Sequence, residues 1–141
     1  MSATILMVDD SRTARAEIRQ ALEADGHRVL EAADGKRALE VLSAGPPVDL
    51  IITDLYMPEM DGLSLVRRIR RLEHHRSIPV VMLTIESEAE MQRRGSVAGV
   101  SEWLVKPGRP EDFCRTVRRL LDRENVRWAA NGRKKVNFQP G

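Results

Sequence analysis

The sequence predicts an α/β fold, a doubly wound, five-stranded parallel sheet with helices on both faces. Two observations predict it. Short apolar runs alternate five times with longer segments of helical period, the order of elements that a parallel sheet requires. Two of those runs, 50–53 and 80–83, are apolar almost without interruption, as strands buried on both faces must be. A length of 141 residues with 42% hydrophobic side chains suits one domain with a proper core.

Each element carries its own justification. "TILMVDD" (4–10) is a short strand ending in two acids. "SRTARAEIRQALEADG" (11–26) is a helix with Ala14, Ile18, Ala21 and Leu22 on one face, Ser11 as N-cap and Gly26 as its stop. "HRVLEA" (27–32) is the second strand, and "ADGKRALEVLSAG" (33–45) a turn and helix closed by Gly45-Pro46-Pro47. "VDLIITD" (48–54) is the third strand. It leads into "GLSLVRRIRRL" (62–72), a helix with Leu65, Val66, Ile69 and Leu72 inward and Arg67, Arg68, Arg70 and Arg71 on its polar side. "SIPVVMLT" (77–84) is the fourth strand, with Pro79 tolerable at its start. "ESEAEMQRRGSVAG" (86–99) is the weakest helix, because Gly95 alone costs about 1 kcal/mol relative to alanine. "SEWLV" (101–105) is a short fifth strand. "PEDFCRTVRRLLDRE" (110–124) is the last helix, with Phe113, Val117, Leu120 and Leu121 as its inner stripe. After about residue 124 the pattern stops, and the polar, basic stretch 125–141 is open to fraying or disorder.

Composition narrows the function classes. Twenty-three basic and 21 acidic side chains leave a net charge of +2, which gives nucleic-acid binding little support. The single cysteine, Cys114, excludes an internal disulfide and fits a reducing compartment. The start "MSATILMVDD" has neither a basic leader nor a long apolar run, so a cytoplasmic protein is expected.

The chemistry collects at the strand ends. Asp9 and Asp10 end the first strand, Asp54 the third and Thr84 the fourth, and Lys106 follows the fifth. Any one of these acids reads first as a turn residue or helix cap. Five polar groups at one sheet edge do not, and in doubly wound sheets ligands bind beyond that edge. Three neighbouring carboxylates repel one another and stay ionised only beside a cation. Oxygen ligands without histidine or cysteine select a hard ion, magnesium (Mg2+). Lys106 adds a point charge and Thr84 a hydroxyl, both suited to phosphate. No glycine-rich phosphate loop is present to hold a nucleotide, so the phosphoryl group comes from elsewhere, and a carboxylate can accept it covalently.

The chain resembles the receiver domains of two-component response regulators, of the stand-alone chemotaxis-regulator type. "VDDS" (8–11), "EAADG" (31–35), "ITDLYMPEMDG" (52–62), "VVMLT" (80–84) and "LVKP" (104–107) carry the resemblance, across residues 4–122. It implies a flavodoxin-like strand order 2-1-3-4-5, a receiver domain at 1–124 and a C-terminal tail at 125–141. It implies Asp54 as phosphoacceptor, with Asp10, Asp54 and the backbone carbonyl of Tyr56 as magnesium ligands and Asp9 acting mainly through a coordinated water. Lys106 would pair with the carboxylate or phosphoryl oxygens, and Thr84 would bond the phosphoryl group. Trp103 takes the aromatic switch position, and the Lys106-Pro107 peptide is expected to be cis. The implied partners are a sensor histidine kinase or phosphotransfer protein and a downstream protein target, with a phosphorylation-dependent dimer compatible with the family and no membrane.

The sequence departs from the family at Ile85, where a small residue is usual and where bulk would crowd the phosphoryl group. Tyr56, two residues after the acceptor, is also large, and Gly108-Arg109 replaces the usual aromatic after "KP". Two alternatives stay open at this point. A longer DNA-binding regulator would carry this chain as its amino-terminal receiver. An aspartyl-phosphate phosphatase would want an acid where Tyr56 stands. A receiver that binds partners without phosphorylation fits less well with the complete acid–threonine–lysine set. Three smaller readings complete the picture. His74 and His75 form a solvated turn rather than a metal pair, Cys114 packs beside the last helix's core, and Arg115, Arg118, Arg119 and Arg123 are either a docking stripe or a solvated face.

Overall fold

A computed structural model describes residues 2–85, 93–94, 98–106 and 108–130, with side chains to 123. Five strands, β1 (Thr4–Val8), β2 (Arg28–Ala32), β3 (Leu50–Asp54), β4 (Val80–Thr84) and β5 (Glu102–Val105), form one parallel sheet in the order β2-β1-β3-β4-β5. Four helices accompany them, α1 (Arg12–Ala24), α2 (Gly35–Ala44), α3 (Gly62–Arg71) and α4 (Pro110–Ala130). The expected order and both faces are as the sequence implies.

The sheet divides the core in two. On one side Ile5, Met7, Leu50 and Ile52 meet Ile18 and Leu22 of α1 and Phe113, Val117, Leu120 and Leu121 of α4. On the other, Leu6, Val8, Ile51 and Met82 meet Ala38 and Leu42 of α2 and Leu63, Leu65, Val66 and Ile69 of α3. Successive residues of β1 and β3 therefore serve different cores. This is why those strands read as continuous apolar runs rather than as alternation.

The caps behave as their chemistry dictates. Ser11, Asp34 and Asp61 each accept a backbone N–H from three residues on, which fixes the starts of α1, α2 and α3. Gly26 adopts φ +94°, the left-handed conformation that ends α1.

Three expectations need correction. Arg70 is not on the polar side of α3. It is half-buried, and its guanidinium donates to the carbonyls of Gly99 (2.6 Å) and Ile78 (2.7 Å), pinning the approach to β5 onto the end of α3. Leu72 is the half-buried C-cap of α3, outside its inner face. The backbone of α4 continues to Ala130, six residues past the point where apolar periodicity ends. The helix read at 86–99 lies largely outside the described residues, as do Gly95, Pro107 with its peptide isomer, and the side chain of Trp128.

Candidate functional site

Register brings the expected groups together. Val8 pairs with Thr53, Asp54 with Leu83 and Thr84 with Val105, so the carboxyl ends of β1, β3, β4 and β5 are level. Asp9 leaves β1 fully buried, Asp10 follows exposed, Asp54 closes β3 half-buried and Thr84 closes β4 buried. Asp9, Asp10 and Asp54 each offer a carboxylate oxygen within 4.8 Å of the others.

Lys106 reaches this cluster across the sheet. Its Nζ donates to Asp9 Oδ2 at 2.9 Å and lies 3.5 Å from Asp54 Oδ2, so it rests on Asp9 more closely than on Asp54. Its backbone N–H donates to the Thr84 carbonyl (2.7 Å), which ties the lysine to the end of β4. Asp9 is held further by the Ser11 N–H on Oδ1 (2.8 Å), and Asp54 Oδ1 accepts from the Leu55 N–H (2.9 Å).

One cation does not balance three acids. Burial pushes the Asp54 carboxyl above its ordinary range; Lys106 opposes this, and the Asp9 charge adds to it. Burial lowers Lys106, but its hydrogen bond to Asp9 and the charges of Asp54 and Asp9 outweigh that and leave its ammonium above the usual value. Asp54 is thus destabilised as an anion, and a further cation beside it would relieve that. The donor set is oxygen only and partly open to solvent, which fits Mg2+.

The loop after Asp54 is shaped by backbone chemistry. Gly62 donates to the Leu55 carbonyl (2.7 Å), and a Cβ there would strike the Asp54 carbonyl oxygen and come within 2.8 Å of Met82 Sδ. Only glycine lets α3 start this close to the acid. Between them, the Met60 N–H donates to the Pro58 carbonyl (2.7 Å) across Glu59, which holds φ +68°. A non-glycine residue in this three-residue turn costs of order 1–3 kcal/mol, and such strain gathers beside functional sites.

Sequence reasoning missed two contributors. Arg15 donates to the Asp9 backbone carbonyl (2.6 Å) and to Glu31 (3.1 Å), bracing the turn after β1. Glu59 carries the strained turn. The only available signal for Arg15 was its position on α1 shortly after the acid pair, and nothing in composition marks Glu59.

The remaining candidates fall as follows. Trp103 is half-buried and packs against the α2–α3 core, opposite Met82 in register. Tyr56 is 52% and Ile85 76% exposed, so Ile85 points to solvent rather than packing over the acids. Phe113 Cζ lies 3.1 Å from where a Cβ of Gly108 would stand, so an aromatic of α4 occupies the space beside that glycine. His74 is exposed and His75 half-buried in a 3-10 turn at Glu73–His75. Cys114 is buried, donates to the Ala21 carbonyl (3.5 Å), and has its thiol pushed up by burial, as a packing residue should.

A doubly wound sheet with three acids, a threonine and a lysine at its carboxyl edge defines a phosphoryl-handling signalling domain. The response regulator receiver domain family matches residues 5–118, and the chain belongs to it. The rice (Oryza sativa) two-component response regulator ORR3 is 40% identical over 117 residues, covering 83% of this chain and 89% of that one. The chemotaxis protein CheY4 of Vibrio cholerae superposes with a TM-score of 0.81 at 36% identity, covering 84% and 98% of the two chains. The receiver domain of the sensor histidine kinase PA1611 of Pseudomonas aeruginosa, solved with a magnesium ion coordinated in its active-site cleft, superposes with a TM-score of 0.78 at 29% identity, covering 86% and 99%. Among the described residues no helix is long and apolar enough to cross a membrane.

Proposed function

We propose that this chain is a cytoplasmic signalling switch that takes a phosphoryl group from a histidine kinase or phosphotransfer protein onto Asp54 and signals by altered binding to a protein target. The observation that carries the reading is the under-neutralised Asp54, raised by burial and held 3.5 Å from Lys106 at the mouth of the sheet. The receiver unit is 1–124, and 125–141 is its C-terminal tail.

The residues divide the work. Asp54 attacks phosphorus; an O–P bond forms as the donor's N–P bond breaks, and the electron pair returns to the imidazole nitrogen, which regains a proton from solvent. Asp9, Asp10 and Asp54 with the Tyr56 carbonyl would hold Mg2+, whose charge offsets the acids and the phosphoryl oxygens when bound. Lys106 is placed to turn from Asp9 toward the new phosphoryl oxygens. Thr84, buried beside it, donates its hydroxyl to them. A phosphoryl group adds roughly −1.5 to −2 charges. Moving Thr84 toward it vacates space that Trp103 can rotate to fill, reshaping the surface along β5.

Acetyl phosphate with Mg2+ is expected to give a mass adduct in the wild type and none in Asp54→Asn or without Mg2+. An undiminished adduct in the variant removes Asp54 from the role. Beryllofluoride with Mg2+ should change Trp103 fluorescence in a Trp128→Phe background; an unchanged spectrum with the mimic demonstrably bound places the output elsewhere.

A further inference from the structure

The arginines of α3 and α4 fall into two groups. On α4, Arg115 pairs with Asp112 (3.4 Å), Arg118 with Asp25 (2.6 Å) and Arg119 with Glu102 (3.2 Å). The basic stripe read there is mostly spent on the chain's own acids. On α3, Arg70 is spent on backbone carbonyls, but Arg67, Arg68 and Arg71 are exposed, and among the described residues none of the three pairs with a carboxylate.

Helical geometry gathers these three. At about 100° per residue they fall within an arc of about 100°, opposite the face that buries Leu65, Val66 and Ile69. Folding does not ask for this. The helix dipole rewards one or two cations in the last turn, but Arg67 and Arg71 are a like-charged i,i+4 pair that costs roughly 0.2–0.5 kcal/mol.

We propose that the outer face of α3, carrying Arg67, Arg68 and Arg71, is a docking surface for an acidic helical segment of a partner protein. Arg67 and Arg71 stand about 6 Å apart along the axis, the spacing of carboxylates at i and i+4 of a facing helix. Each guanidinium can grip a carboxylate through two hydrogen bonds. Nucleic acid complements the face less well. The chain's 21 acids nearly cancel its basic charge, and α3 carries no aromatic side chain on which a base could stack. The face lies across the sheet from α1 and α4 and does not depend on the phosphorylation reading.

The test uses the full, unphosphorylated chain and a fluorescent glutamate-rich helical peptide of about 15 residues, followed by anisotropy at low salt. Arg67→Glu/Arg71→Glu is compared with Arg115→Glu/Arg119→Glu, which changes net charge equally, and circular dichroism confirms that both fold. Affinity is expected to fall on the order of tenfold for the α3 variant and to stay within about twofold for the α4 variant. Equal losses would reduce the effect to net charge and overturn the proposal. So would an absence of binding by the wild type, tighter binding of an oligonucleotide of matched charge, or self-association of the chain through α3 in place of peptide binding.

Discussion

The two edges of the sheet both bury polar groups, and they treat them differently. At the amino edge, Asp49 is buried and forms a reciprocal pair with Thr4. Its carboxylate accepts the Thr4 N–H (2.9 Å), and its own N–H donates to the Thr4 carbonyl (2.8 Å). His27, also buried, accepts the Ala3 N–H at Nδ1 (3.2 Å), although its Nε2 has no hydrogen bond and lies 3.9 Å from Asp25, which is held below its ordinary range by its hydrogen bonds to Arg118. At the carboxyl edge, three acids share one lysine, and Asp54 is left above its ordinary range. The exposed large hydrophobics, Tyr56, Ile85 and Val105, also lie at that edge. Where the chain supplies its own partners, a buried polar group staples strands together. Where it withholds them, the same chemistry awaits a ligand.

Four measurements would sharpen or break this contrast, the largest effect first. Asp49→Ala leaves the partly buried Thr4 N–H without that partner and should cost about 1–3 kcal/mol by urea denaturation. A loss close to zero would mean the amino edge is no staple.

Asp54→Asn should do the reverse on a smaller scale. A carboxyl whose native pKa is raised is protonated in the folded state while the unfolded chain has already ionised, so it costs stability as pH rises past 3.8. At neutral pH without Mg2+ the variant should unfold at a higher urea midpoint than wild type, and adding Mg2+ should narrow the gap by binding the wild-type native state. A lower midpoint would show that Asp54 is satisfied as it stands.

His27 gives the third test. Burial holds its pKa below 6.5, so it is neutral when folded, and the unfolded chain takes up a proton first as pH falls. Its contribution is present above 6.5 and is lost on acidification toward its lower native pKa. His27→Gln should flatten the stability profile in that window, and an unchanged slope would assign the acid sensitivity to other groups.

The smallest effect concerns the exposed rim. Ile85 stands exposed at the rim rather than over the acids, so Ile85→Ala should leave the rate of phosphoryl loss unchanged. A clear acceleration would tie the rim to the chemistry.

Local sequence determined a great deal of this protein. Five apolar runs, the caps Ser11, Asp34 and Asp61, the glycine at 26 and the acids at the ends of β1 and β3 were legible, because burial period and turn chemistry are properties of neighbouring residues. The tertiary structure alone decided that Lys106 rests on Asp9 rather than Asp54, across 97 residues of chain, and that Arg15 braces the Asp9 carbonyl. It decided that Arg70 turns inward while Arg67, Arg68 and Arg71 have no carboxylate partner among the described residues, and that Arg118 reaches Asp25 and Arg119 reaches Glu102. It also decided where Asp49 finds its partner. The physical reason is the same each time. Periodicity says which way a side chain faces, whereas a partner is chosen by strand order and register, which bring together residues that no local pattern connects.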